Sequence, residues 1–129
     1  MRRDFQLSEE DTQCLEAQGV PWDAIIENNV KWIVLRGYLL PAGYNHSTAD
    51  AAIRIPPSYP DGGLDMVYFH PALALATKRA IAKLTPHVLE GKQYQQWSRH
   101  YDWQPGLHNL CTHLLLIKTW LEREVRRAA

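Results

Sequence analysis

Cysteine is scarce in this chain of 129 residues: Cys14 and Cys111 stand alone and far apart. Such usage makes neither a disulfide framework nor a cysteine-ligated zinc site, and it reads as that of a cytosolic protein. Charge of one sign is lacking as well. The 14 Lys and Arg balance 14 Asp and Glu, so no global field draws the chain to nucleic acid or to an anionic membrane, and neither is expected as a partner. No apolar run approaches the roughly 18 residues of a membrane-spanning helix. Met1-Arg2-Arg3-Asp4-Phe5 is not followed by the apolar core of a secretion signal. The expectation is a soluble, cytoplasmic protein. Repeats, low-complexity tracts and a phosphate-binding glycine pattern are missing too, so no nucleotide or other cofactor is expected. What is present is ordinary globular material, 46% hydrophobic and 22% charged. That fits one domain over residues 1–129, with 1–6 and 124–129 as loose ends, able to bury roughly two-thirds of its unfolded surface.

The hydrophobic period changes along the chain. Ser8 precedes Glu9-Glu10-Asp11, a capping residue followed by acids in the first turn, and Leu7, Asp11, Cys14, Leu15 and Gln18 share one side before Gly19 and Pro21; a short helix is predicted. From Trp22 to Phe69 the preference turns to β, with strands expected at 24–26, 30–35, 51–55 and 66–69. Asn28-Asn29 suits a tight hairpin, Pro41-Ala42-Gly43 a loop and the Pro56 to Gly63 stretch a longer turn, which together predict an antiparallel meander. Residues 71–101 leave two readings open. Leu73, Ala76, Ala80, Ile81 and Leu84 fit a helical stripe, whereas Val88-Leu89 and Gln93 to Trp97 around Glu90-Gly91 fit a small hairpin or an irregular flap. From Pro105 onward Leu107, Leu110, Cys111, Leu114, Ile117, Leu121 and Val125 recur at helical spacing, with Leu115, Leu116 and Trp120 widening the apolar face. This predicts a long helix lying across the sheet.

The order of these elements resembles the ubiquitin-conjugating enzyme fold, and two motifs carry the likeness. Ile55-Pro56-Pro57-Ser58-Tyr59-Pro60, running into Asp65-Met66-Val67-Tyr68-Phe69, is similar to that family's proline-tyrosine-proline turn between its third and fourth strands. Trp103-Gln104-Pro105 is similar to the Trp-x-Pro that closes its active-site loop. Leu40-Pro41-Ala42-Gly43-Tyr44-Asn45, Gln96-Trp97-Ser98-Arg99-His100 and the Trp103 to Gly106 segment resemble the bacterial branch called family E, over roughly residues 20–122. The resemblance implies an α+β fold: an N-terminal helix, a four-stranded antiparallel meander, an irregular active-site segment and a long C-terminal helix. It implies a bacterial transferase acting in conjugation of a ubiquitin-like protein. Its partners would be that protein and a ubiquitin-activating-like enzyme.

One departure is decisive for chemistry. The family's thioester cysteine falls in the neighbourhood of Tyr94, Gln95 and Gln96, where this chain has none. The His-Pro-Asn motif is also missing, with Pro86-His87-Val88 at best a displaced echo. Cys111, on an apolar helical stripe, reads as a packing residue, and Cys14 as a bystander. Ser98 lies in the segment replacing the active-site loop. In extended backbone His100 projects to the same side and is the candidate base. Ser98 and His100 are therefore the expected catalytic pair, weighed against an architectural role in which both tie the loop to the last helix. Tyr94, Gln95, Trp97, Arg99 and Trp103 are the expected partner contacts. Two further readings use the same residues: a non-catalytic adaptor, with Tyr44 and Tyr59 as exposed contacts, and a small hydrolase using Ser98 and His100. His108, Cys111 and His113 lack metal-ligand spacing, and His46, Ser47 and Asp50 form no nucleophile elbow.

Overall fold

The computed structural model describes residues 1–128. Helix α1 (Glu9–Glu16) is followed by strands β1 (Trp22–Glu27), β2 (Val30–Leu39), β3 (Thr48–Ile55), β4 (Val67–His70), β5 (Leu84–Leu89) and β6 (Lys92–Trp97), then helix α2 (Leu110–Ala128). The strands form one sheet in the order β1-β2-β3-β4-β6-β5, antiparallel throughout. The predicted meander is its first four strands. The stretch left open between helix and hairpin resolves as a hairpin, so the sheet has six strands rather than four.

Local chemistry sets these boundaries. Ser8 Oγ accepts from Asp11 N at 3.2 Å and caps α1. Asn28 and Asn29 have φ of 53° and 63°, and Glu90 and Gly91 have 54° and 70°. Paired left-handed residues make the tight turns that join β1 to β2 and β5 to β6. Helix α2 starts later than its stripe predicts. Asn109 Oδ1 accepts from Thr112 N at 3.1 Å while Thr112 Oγ1 accepts from Asn109 N at 2.9 Å, a reciprocal cap that fixes the start at Leu110. Leu107 and Leu115, expected on the apolar face, are instead 65% and 68% exposed.

The sheet has two unequal apolar faces. On one side Ile33, Leu35, Ile53, Val67, Phe69 and Trp97 pack with Leu15 of α1 and with Leu110, Leu114, Ile117 and Leu121 of α2. On the other side Ile25, Trp32, Val34, Tyr68, Leu89 and Tyr94 form a smaller cluster, with Met66 and Val30 against it. No helix among the described residues is long and apolar enough to cross a membrane.

One expectation is corrected. Cys14 and Cys111 are joined as a disulfide across a Cα–Cα distance of 5.5 Å, because α1 docks beside the first turn of α2; the cytosolic reading of free thiols loses that support. Arg2 O accepts from Ala24 N at 2.9 Å and Asp4 N donates to Ala24 O at 2.7 Å, so residues 2–4 line the outer edge of β1, while α2 runs to Ala128 and buries Glu124.

Tyr59 joins the two helices. Its hydroxyl donates to buried Asp11 Oδ2 at 2.7 Å and accepts from Leu110 N at 2.8 Å. Burial, with Asp11 beside it, pushes the Tyr59 phenol above its ordinary value. Tyr59→Phe leaves a carboxylate and a helix N–H unpaired, which costs roughly 2–3 kcal/mol; urea unfolding of this variant against the unsubstituted protein checks the figure, and an unchanged midpoint contradicts the bridge.

Candidate functional site

The two motifs that stand apart in sequence meet in space. Trp103 Nε1 donates to Pro60 O at 3.0 Å, and its ring lies 6.1 Å from that of Tyr59. Gly63 has no side chain because Trp103 leaves no room for one: a Cβ there would sit 2.6 Å from the indole. The turn after β3 thus braces the loop before α2.

Alternation along β6 sends its residues to opposite faces. Gln95 and Trp97 point toward the helices, and Trp97 is fully buried in the larger core. Gln95 is held three ways: Oε1 accepts from Leu73 N at 3.0 Å and from Trp97 Nε1 at 2.9 Å, and Nε2 donates to Leu73 O at 3.1 Å. It borders a cleft of about 300 Å³ with Ala72, Pro86 and Gln93. This is the neighbourhood in which the resemblance places a reactive cysteine. An amide with its polar atoms occupied stands there instead.

Gln96 and Ser98 point the other way. Gln96 Nε2 donates to Ser98 Oγ at 3.3 Å and contacts Met66 Sδ at 3.3 Å. Ser98 Oγ donates to no acceptor among the described protein residues, and Ser98 N donates to Lys83 O at 3.1 Å. Ser98 and His100 are not hydrogen-bonded to each other. His100 is instead paired through Nδ1 with Asp65 Oδ2 at 3.1 Å, with both side chains more than half exposed. A carboxylate on Nδ1 leaves Nε2 as the proton acceptor, the orientation a general base requires. Asp65 is the member that sequence reasoning missed, since it lies 35 positions away.

The expected partner contacts are largely interior. Tyr94 and Trp97 are 0% exposed, so both are corrected from contacts to core residues. Burial pushes the Tyr94 phenol up to about 12. Arg99 is committed within the chain: it pairs with Glu124 Oε1 at 3.2 Å, donates to Ala82 O at 3.1 Å and stacks over Trp97 at 4.9 Å. Tyr44, expected to be exposed, is buried, and its hydroxyl donates to Leu121 O at 2.6 Å. His70 ends β4, and Pro71 leads to Ala72, which borders the cleft beside Gln95.

The segment that carries Ser98 and His100 is fixed from behind by His113. This fully buried histidine donates from Nε2 to Met66 O at 2.9 Å and accepts at Nδ1 from the Tyr101 hydroxyl at 2.9 Å. Met66 N in turn donates to Arg99 O at 3.0 Å. Burial holds the His113 imidazole down at about 4.

A family model described as prokaryotic E2 family E matches residues 7–124. No curated protein and no solved structure matches the chain.

The depressed His113 value has a signed consequence. Unfolded imidazole takes a proton near 6.5 and the native one only near 4, so between those values the unfolded state binds more protons. Stability is therefore full above about pH 6.5 and falls as the pH drops toward 4, by at most on the order of 3 kcal/mol from this group. Urea unfolding at several pH values measures the slope. His113→Gln flattens it, and an identical slope in that variant contradicts the assignment.

Proposed function

The chain belongs to prokaryotic E2 family E, and from that premise we propose that it accepts the C-terminal acyl group of a ubiquitin-like protein from an activating enzyme and passes it to a target, with Ser98 as the carrier. The observation that carries this reading is the His100–Asp65 pair, two residues from a serine whose hydroxyl proton is uncommitted. In charging, Ser98 Oγ attacks the acyl carbonyl carbon of the cargo thioester, the C–S bond breaks as the C–O bond forms, and the hydroxyl proton passes to His100 Nε2. The departing thiolate takes up that proton. In transfer, a target amine displaces Ser98 Oγ and the released proton returns to the serine through the same imidazole. An oxyester is less reactive toward amines than a thioester, so base assistance matters more here than in cysteine relatives. Contacts between Ser98 and His100 then form as cargo closes over the exposed loop, as catalytic hydrogen bonds commonly tighten in the complex. With Cys14 and Cys111 bonded to each other, neither thiol is available as carrier. The same reading places the protein, as a single domain, beside an ATP-dependent activating enzyme.

The occupied seat at Gln95 favours a second reading, an adaptor that binds the ubiquitin-like protein or its activating enzyme without covalent chemistry. Intact-mass analysis after incubation with the ubiquitin-like protein, activating enzyme and ATP separates the two. The carrier reading expects an adduct that survives thiol reductant and is lost in mild base. It disappears in Ser98→Ala, and its formation slows about 100-fold in His100→Ala. An adduct retained in Ser98→Ala removes the assignment. Partner binding measured by calorimetry, with no adduct from an active upstream enzyme, supports the adaptor.

A further inference from the structure

Arg99, the cation nearest Ser98 in sequence, is neutralised internally by Glu124. The free positive charge beside the site comes from another segment. From Met66 to Leu89 the chain contains Lys78, Arg79 and Lys83 but no aspartate or glutamate, in a protein of zero net charge. All three cations are exposed, and none forms an ion pair among the described residues.

The loop bearing them is held in place at both ends. On its N-terminal side Leu73 and Leu75 are buried, Leu73 is clasped by Gln95, and Asn45 bonds to Ala72 and Ala74. Ala76 N donates to Gly43 O at 2.8 Å and Lys78 N to Leu75 O at 2.8 Å. On its C-terminal side Lys83 O accepts from Ser98 N at 3.1 Å, and Ala82 O accepts from Arg99 at 3.1 Å. A basic protrusion is thus tied by its own backbone to the segment that carries Ser98.

We infer that the 77–83 loop is a docking surface for an acidic face on the globular body of the ubiquitin-like protein whose C-terminus reaches Ser98. The inference rests on the carrier reading above and adds the recognition chemistry. A body tethered at Ser98 is held within reach of this loop, whose Lys83 carbonyl accepts from Ser98 N, and fixed cations on a neutral protein favour an acidic protein face by charge complementarity. Three charges with no exposed aromatic residue between Thr77 and Lys83 make a poor nucleic-acid surface, which relies on longer basic tracts and stacking.

The test compares the unsubstituted protein with a Lys78→Ala/Arg79→Ala/Lys83→Ala variant against two acyl donors. One is a ubiquitin-like protein, supplied with its activating enzyme and ATP. The other is the 4-nitrophenyl ester of acetyl-Gly-Gly, an uncharged donor with no globular body. Charging with the protein donor is expected to fall about tenfold in the variant at low salt and to converge with the unsubstituted rate at high salt, while acylation by the ester is unchanged. Equal loss with both donors, or no loss with the protein donor, overturns the docking role. If neither donor acylates Ser98, the carrier reading fails, and calorimetric titration of the same ubiquitin-like protein still decides the loop: about tenfold weaker binding by the variant supports it, and equal binding overturns it. Binding of a single-stranded DNA oligonucleotide as tight as that of the ubiquitin-like protein, lost in the variant, also overturns it.

Discussion

The side chain of Gln95 holds three separate parts of the molecule in register. Its two hydrogen bonds to the Leu73 backbone pin the chain that leaves β4, and its bond to the Trp97 indole satisfies the one polar atom of a fully buried ring. Trp97 in turn lies against Phe69 at 5.3 Å and beneath Arg99 at 4.9 Å. An apolar side chain at position 95 would leave an amide, a carbonyl and an indole N–H without partners, each costing about 1–3 kcal/mol where solvent cannot replace them. The loop that follows β4, the β5–β6 hairpin and the segment beginning at Ser98 all take their positions from this clasp.

The two faces of β6 carry different groups. On the helix-facing side of β6, polar capacity is spent on architecture. On the opposite side Gln96 reaches both Met66 and Ser98, and Asp65 approaches His100. A one-residue step along a strand exchanges faces, so a reactive group at Ser98 lies across the sheet from one at Gln95. From α2, His113 fixes the Met66 carbonyl and Tyr101 behind this segment. The disulfide between α1 and α2 steadies the other end of the loop, where Trp103 rests on the Tyr59-Pro60 turn.

Much of this was legible in the sequence, and the illegible parts share a cause. Local signals were reliable where they depend on neighbours a few residues away, as in the Ser8 cap, the Asn28-Asn29 turn and the helical period of α2 from Leu110 onward. The β5–β6 hairpin stayed ambiguous because Pro86 on an edge strand and alternating glutamines offer neither a clean period of two nor one of 3.6. The pairing of Cys14 with Cys111, 97 positions apart, and of His100 with Asp65 needed the tertiary fold. Residue type alone also misjudged exposure. Tyr94, Trp97, Tyr44 and Arg99 looked like recognition residues, yet their polar ends or rings are used inside the domain.

The carrier reading puts acyl chemistry on Ser98, whose hydroxyl faces away from the Gln95 clasp. Tandem mass spectrometry of the protein charged with a ubiquitin-like cargo, digested under acidic conditions that preserve oxyesters, locates the attachment directly. The account predicts the C-terminal remnant of the cargo on Ser98 Oγ, in the peptide spanning Trp97 to His100. A remnant on Cys14, Cys111 or a lysine, with Ser98 unmodified, would contradict it.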